Sequence, residues 1–199
     1  MDVIEISYKS TNSYLIRTNG GWLMIDAGWP DTFSQILRLL NQNGISVNEI
    51  DYLFVTHYHP DHVGLAQNLK DLGTSLIVHE IQLPFIHKIN QHFKKYPKEN
   101  FKDITNNNMI VLSEADSRSF FESIGLSAKL LVTPGHSEDS VSLIIDDFCA
   151  FTGDLPAPET CEIYDDPAVK SSWEQISKYN IKKIYPGHGD TYEFRPNII

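Results

Sequence analysis

No stretch of this chain is apolar for long enough to cross a bilayer, which takes about 20 consecutive apolar residues, so no membrane span is expected. Cysteine is scarce. Cys149 and Cys161 are the two present, without C-x-x-C spacing, so neither a disulfide framework nor a thiolate zinc site is indicated. They read as one core thiol and one loop thiol. Basic residues are outnumbered, 16 against 26 acidic, and the formal charge is -10. Such a surface repels polyanions and argues against nucleic acid as the substrate, although bound cations would make a site locally positive. The opening Met1-Asp2-Val3-Ile4-Glu5 has an acidic residue at once and no apolar core. No secretory signal is expected, and cytoplasmic residence is the default. Linkers and low-complexity segments are missing too, so the 199 residues are expected to form one domain over 1–199.

What the chain does have is an unusual density of metal-binding side chains after one apolar run. Tyr52 to Val55 reads as a buried strand, followed by Thr56-His57-Tyr58-His59-Pro60-Asp61-His62-Val63-Gly64. Alternate side chains of an extended segment share a face, so His57 and His59 can point at one cation. Pro60 breaks the extended path. With a helix starting just after it, Asp61 and His62 aim beside the first cation, where a second could bind.

The surrounding pattern alternates strand and helix with short turns, which indicates layered α/β packing. Strands are expected at Val3–Ser7, Ser13–Arg17 and Trp22–Ile25, with Asn19-Gly20-Gly21 as a hairpin turn. The third ends in Asp26-Ala27-Gly28, where Asp26 is expected to support a metal site by hydrogen bonding rather than to bind the ion. Phe33, Ile36, Leu37 and Leu40 recur at helical spacing, with Asp31 or Thr32 as cap and Asn43-Gly44 as stop. After the motif strand come a helix from about Val63 to Leu69 and a strand Ser75–Val78. From 80 to 108 the pattern loosens. Phe85, Ile86, Ile89 and Phe93 suit an amphipathic helix, and the segment is equally a candidate lid or pocket wall. His79, His87 and His92 lack other ligand types at useful spacing and read as structural or surface residues. Further on, a helix Ser117–Ile124, strands Lys129–Thr133, Ser140–Ile145 and Phe148–Phe151, a helix near Trp173–Tyr179 and a strand Lys183–Tyr185 are expected, with a frayed tail from Arg195.

Three of these later strands end in the same manner as the first motif. Pro134-Gly135-His136, Thr152-Gly153-Asp154 and Pro186-Gly187-His188-Gly189 each put a ligand-type residue after a strand and beside glycine. Strand ends of packed sheets meet at one edge, so seven candidates, His57, His59, Asp61, His62, His136, Asp154 and His188, are expected to converge.

The order H-Y-H-P-D-H, P-G-H, G-D and P-G-H-G resembles the metallo-β-lactamase superfamily over nearly the whole chain, Ile4 to about Phe194. The resemblance implies a four-layer αββα sandwich of two mixed β-sheets with helices outside and the metal site at one edge. It further implies one metal on His57, His59 and His136, a second on Asp61, His62 and His188, and Asp154 bridging both. That ligand set is similar to hydroxyacylglutathione hydrolases and lactonases rather than to zinc β-lactamases. The resemblance also offers Tyr164 as a hydrogen-bond donor to a developing oxyanion. Hydroxyacylglutathione hydrolases usually add a C-terminal helical domain, whereas this sequence ends soon after His188, which turns the expectation away from a glutathione thioester.

Imidazoles and carboxylates suit zinc, iron and manganese alike; two divalent metal ions are expected, zinc first. Two cations roughly 3.5 to 4 Å apart can share a water and lower its pKa towards about 7, giving a bridging hydroxide at neutral pH. Asp61 can accept the nucleophile's proton as well as ligate. The expected activity is hydrolysis of an ester-like bond in a small-molecule substrate: thioester, lactone or small carboxylic ester. Trp29, Pro30 and Leu155–Asp166 are expected to border the site. The alternatives are a mononuclear non-haem iron enzyme of the persulfide dioxygenase type, a β-lactamase, and a non-catalytic binding protein. No nucleic-acid or membrane partner is expected.

Overall fold

The computed structural model describes residues 2–160 and 166–195. The expectations for Cys161, for Tyr164 and for most of the tail from Arg195 fall outside the described residues.

Sheet one has six strands in sequential order, β1 (Val3–Tyr8), β2 (Thr11–Arg17), β3 (Trp22–Ile25), β4 (Ile50–Phe54), β5 (Ser75–His79) and β6 (Met109–Leu112). The first three run antiparallel and the pairs from β3 to β6 are parallel. Sheet two holds β7 (Ala128–Val132), β8 (Val141–Ile145), β9 (Cys149–Gly153), β10 (Lys183–Pro186) and β11 (Tyr192–Glu193), ordered β11-β10-β9-β8-β7. Its β9–β10 pair is parallel and its other pairs are antiparallel. Both sheets are mixed. The α-helices among the described residues are α1 (Phe33–Gln42), α2 (Pro60–Val63), α3 (Ala66–Lys70), α4 (Leu83–Lys94), α5 (Glu114–Ser123) and α6 (Pro167–Ile176).

The period-two alternation of the strands sorts their side chains into separate cores. Phe54 and Ile77 of sheet one meet Leu143, Ile145, Cys149 and Phe151 of sheet two. The alternate residues Leu53, Val55 and Val78 face outward onto Ile36 and Leu40 of α1, Leu69 of α3 and Ile86, Ile89 and Phe93 of α4. On the far side Ile144, Ala150 and Ile184 pack on Val169, Trp173 and Ile176 of α6. Three apolar interfaces thus separate four layers, the expected αββα sandwich. Cys149 lies in the central layer, where burial pushes its thiol up to about 12. No helix among the described residues is long and apolar enough to cross a membrane.

Several boundaries differ from the sequence expectations for local reasons. Strand β2 starts at Thr11 rather than Ser13, because Tyr8 pairs with Thr11 across a turn in which Lys9 takes φ +56°. The expected helix over 63–69 is two short helices. At Gly64 a Cβ would stand 2.3 Å from the Pro30 nitrogen and 2.4 Å from the Gly28 carbonyl, so the break is where the chain passes against the Asp26 loop. Helix α5 begins earlier than expected because Ser113 caps it, accepting from the Asp116 amide at 3.1 Å. Helix α6 begins six residues earlier than expected, since Asp166 accepts from the Ala168 amide at 2.8 Å and Pro167 fits the first helical position. Strands β6 and β11 were not expected. The 80–108 segment contains the amphipathic α4, with Ile86, Ile89 and Phe93 buried.

Candidate metal centre

Strands β3 and β4 run parallel, and so do β9 and β10; their C-terminal ends open onto one edge of the sandwich. The edge is stitched by the Val141 amide donating to the Thr56 carbonyl at 2.9 Å and the Gly187 amide to the Gly153 carbonyl at 2.8 Å. Glycine is required at the closest approaches. A Cβ on Gly153 would lie 2.5 Å from Thr56 Oγ1, and one on Gly187 would lie 2.4 Å from Asp154 Oδ1 and 2.6 Å from His62 Cε1.

All seven residues singled out from the sequence are brought together here. His57, His59 and His136 form one group and Asp61, His62 and His188 another, with donor atoms in each within 4.8 Å of one another. His59 Nδ1 lies 3.1 Å from His57 Nε2 and 2.9 Å from His136 Nε2. In the second group Asp61 Oδ2 lies 3.5 Å from His62 Nε2 and 3.2 Å from His188 Nε2. Asp154 stands between them: Oδ2 is 3.5 Å from His136 Nε2 and 3.3 Å from His188 Nε2, and Oδ1 is 3.2 Å from His62 Nε2. Tetrahedral donors at about 2.0–2.1 Å from an ion lie about 3.3 Å apart, so the spacing fits divalent metal ions.

The hydrogen bonds around the groups fix which ring nitrogen faces inward. His62 Nδ1 donates to Asp26 Oδ2 at 2.8 Å. His57 Nδ1 lies 3.2 Å from Thr56 Oγ1, which itself donates to Asp26, and His188 Nδ1 donates to the Ser10 carbonyl at 2.5 Å. In all three rings Nε2 is thereby left to the site. Asp26, a left-handed residue at φ +57° and 2% exposed, also accepts the Thr56 amide at 2.8 Å. Its carboxylate is committed to these partners.

Two buried atoms test whether the donors fit a metal. His62 Nε2 and Asp154 Oδ1 face each other at 3.2 Å, yet neither makes a well-aligned hydrogen bond to any described residue. Buried polar groups normally have one, and both atoms point into the cluster, where a cation would satisfy them. Charge agrees. Burial, then the neighbouring His62, keeps His57 well below the ordinary imidazole range, so it is neutral at pH 7. Burial likewise lowers His136. Burial alone would also lower His62, but Asp26, Asp154 and Asp61 outweigh it and hold its pKa well above the ordinary value. Asp154 is brought to about 2: burial opposes ionisation and the surrounding histidines, His62 first, overcome it. Asp61 is lowered on the same balance. The site therefore offers anionic carboxylates and, at His57 and His136, neutral imidazoles, with a proton on His62 in competition with a metal.

A cavity of about 300 Å³ opens over the cluster, lined by His136, Asp154, Leu155, Ala157, His188 and Tyr192 among others. The loop after Asp154 borders it as expected, through Leu155 and Ala157, whereas Trp29 and Pro30 do not line it. On the other side of His59 a second cavity, about 420 Å³, is walled by Phe85, Lys88, Ile89 and His92 of α4. His79 is buried and accepts the Ile81 amide, and His87 and His92 lie exposed on α4 outside the seven-residue cluster.

The family description "Metallo-beta-lactamase superfamily" matches residues 8–188. The chain belongs to this superfamily. It is similar to "Beta-lactamase-like protein 2 homolog" of Caenorhabditis elegans, 29% identical over 183 residues that cover 91% of this chain and 56% of the relative. It is similar also to "Thioesterase pkgB" of Emericella nidulans, 25% identical over 199 residues, covering 98% of this chain and 50% of the relative. The chain thus spans about half the length of the curated relatives it matches. Among solved structures, "TTHA1623 in a di-iron-bound form" superposes with a TM-score of 0.65 at 22% identity, covering 97% of this chain and 94% of that one.

Four contributors to this superfamily site escaped the sequence reading. Asp139 accepts the Tyr58 amide at 2.7 Å and so holds the link between His57 and His59. The buried Gln82 amide donates to the Val55 and Thr56 carbonyls at 3.0 and 3.1 Å, bracing the motif strand from behind. Thr11 and the Ser10 carbonyl reach Asp61 and His188. An acidic residue three positions after His136 was a visible signal for Asp139; a backbone carbonyl has none.

Proposed function

We propose that this protein is a dinuclear metal-dependent hydrolase of small ester-like substrates, namely thioesters, lactones or small carboxylic esters. The observation that carries the reading is Asp154, held between two donor groups with one buried oxygen that makes no well-aligned hydrogen bond to any described residue. His57, His59 and His136 would hold one ion, Asp61, His62 and His188 the other, and Asp154 both. When bound, the ion pair supplies a water acidic enough to ionise near neutral pH and an electrophile for the scissile carbonyl.

The chain's own residues prepare the rest. Asp26 and Thr56 fix the ring orientation of His57 and His62, so the inward nitrogens need no reorganisation during reaction. Asp61, ionised and part-exposed, stands at the rim beside His188 and is placed to take the nucleophile's proton. His136 and His188 keep 30% and 37% of their side chains exposed, which leaves the solvent-facing side of the cluster for substrate. Leu155 and Ala157 wall the cavity over the cluster, and α4 walls the neighbouring cavity beside His59, which supports a pocket-wall role for the 80–108 segment. Tyr164, outside the described residues, is kept as a candidate oxyanion donor. The thioesterase name of one relative favours thioesters, and the acidic charge favours a small substrate over a nucleic acid. Zinc leads as the metal; cytoplasmic residence completes the proposal.

A second reading is a mononuclear non-haem iron enzyme of the persulfide dioxygenase type, favoured by the two-histidine, one-carboxylate set of Asp61, His62 and His188. One experiment separates them. Protein reconstituted with zinc, manganese or ferrous ion is assayed against thioesters, lactones and esters under nitrogen. Hydrolysis that is lost on chelation and restored by metal is expected. Turnover of a persulfide that consumes oxygen, with no hydrolysis of the panel, would overturn the proposal.

A further inference from the structure

The second donor group is supported from an unexpected direction. Where sheet one begins, the turn between β1 and β2 reaches across to the loop after β10 in sheet two. Thr11, 2% exposed, donates from Oγ1 to Asp61 Oδ2 at 3.1 Å. The carbonyl of the preceding Ser10 accepts His188 Nδ1 at 2.5 Å. Next, the Asn12 amide donates to the Gly187 carbonyl at 2.8 Å, and its buried side-chain amide donates to the Pro186 and Gly189 carbonyls at 3.1 and 2.8 Å. Tyr14 OH adds a bond to the Pro186 carbonyl at 2.6 Å. Consecutive residues from the turn into β2 therefore orient His188, orient Asp61 and anchor both flanks of His188.

The contacts are one-sided. The described hydrogen bonds of Ser10, Thr11 and Asn12 include none to His57, His59 or His136. Thr11 has one hydroxyl proton, and it goes to the carboxylate oxygen that faces His62 and His188. A hydrogen bond of this kind fixes a carboxylate's rotation and chooses which lone pair is left for an ion.

We propose that the start of β2 is a positioning clamp for the Asp61–His62–His188 pocket, with Thr11 as its specific side chain and the Ser10 carbonyl and Asn12 as its backbone and loop anchors. The proposal rests on the two-ion reading above. It predicts an asymmetry: loss of the Thr11 hydroxyl weakens one ion's binding and leaves the other's unchanged. Removing an outer hydrogen bond of this type costs about 10- to 100-fold in metal affinity.

The test is titration of the metal-free protein with zinc ion against a chromophoric chelator. Wild type is expected to give two binding events. Thr11→Val, which keeps the side chain's shape, weakens one event ten-fold or more and leaves the other within two-fold; Thr11→Ser restores both, and Ser10→Ala, which keeps the carbonyl, changes neither. Thr11→Ala serves in the same titration where the valine variant fails to fold. Two unchanged events in Thr11→Val or Thr11→Ala overturn the clamp, as does equal weakening of both. A single event in wild type overturns the two-ion reading by itself, and the clamp falls with it unless the Thr11 variant weakens that event ten-fold.

Discussion

Asp26 and His62 are 36 positions apart in the chain and meet at 2.8 Å, carboxylate to imidazole, at a depth where neither side chain is more than 2% exposed. The pair joins the end of β3 to α2, the short helix that carries the Pro60-Asp61-His62 half of the H-Y-H-P-D-H motif. Because Asp26 accepts Nδ1–H, His62 presents Nε2 inward; because Asp26 also accepts both the amide and hydroxyl of Thr56, the same carboxylate governs His57 through Thr56 Oγ1. One buried aspartate thus sets one histidine of each donor group.

Asp26→Asn replaces an acceptor with a group that can satisfy only part of this network. Metal affinity is expected to fall by about 10- to 100-fold, and both ions weaken together, unlike in the Thr11 variants. Chelator competition on the folded variant measures this. Unchanged affinity would remove Asp26 from the account.

Asp154→Ala removes the carboxylate shared by both groups. It is expected to lower metal content and abolish turnover, with the fold retained by circular dichroism. Full activity with two ions bound would sink the bridging role.

Gly187→Ala tests the packing of the site. The added methyl would stand 2.4 Å from Asp154 Oδ1 and 2.6 Å from His62 Cε1, closer than real Cβ contacts come. Overpacking of this kind costs about 1–3 kcal/mol, and displacement of Asp154 is expected to reduce metal content as well. By contrast His87→Ala, on the exposed face of α4, is expected to leave metal content unchanged. Loss of an ion in that variant would show the ligands to be misassigned.

The pH dependence follows from His62. Its pKa in the metal-free protein is raised by Asp26, Asp154 and Asp61 against the opposing effect of burial, so its proton must leave when a metal binds. Affinity in the second pocket is expected to rise tenfold per pH unit below the raised pKa and to flatten above it. Asp154 adds a stability effect of opposite origin. Its carboxyl, ordinarily near 3.8, is lowered to about 2 in the folded protein, so its contribution is present above 3.8 and is lost as pH falls towards 2. Zinc titrations at a series of pH values and acid unfolding of the metal-free protein measure the two; a flat affinity profile from pH 6 to 8 would contradict the role given to His62.

Much of the site was legible because its signals are local. A ligand-type residue just after an apolar strand marks a strand end; His57, His136, Asp154 and His188 all carry that mark, and the last three add a glycine beside it. The central alternation, Leu53 and Val55 against Phe54, is equally local, and it predicts two-sided packing. What was hidden depends on pairing. Met109–Leu112 is four residues long after an Asn-rich stretch and becomes a strand through β5. Gly64 interrupts a helix because of the backbone of Gly28 and Pro30, 34 or more positions earlier. Thr11 carries no signal at all: a threonine in a strand is ordinary until Asp61 is known to lie 3.1 Å away. The start of α6 was different, since Asp166-Pro167 is a readable cap and first-turn pair.

The most direct test of the central claim is anomalous diffraction at a metal absorption edge from crystals of the protein loaded with zinc. Two peaks about 3.5 to 4 Å apart are predicted, one against His57, His59 and His136 and one against Asp61, His62 and His188, with Asp154 touching both. A single peak in either group, with the other still empty at saturating zinc, would contradict the dinuclear account.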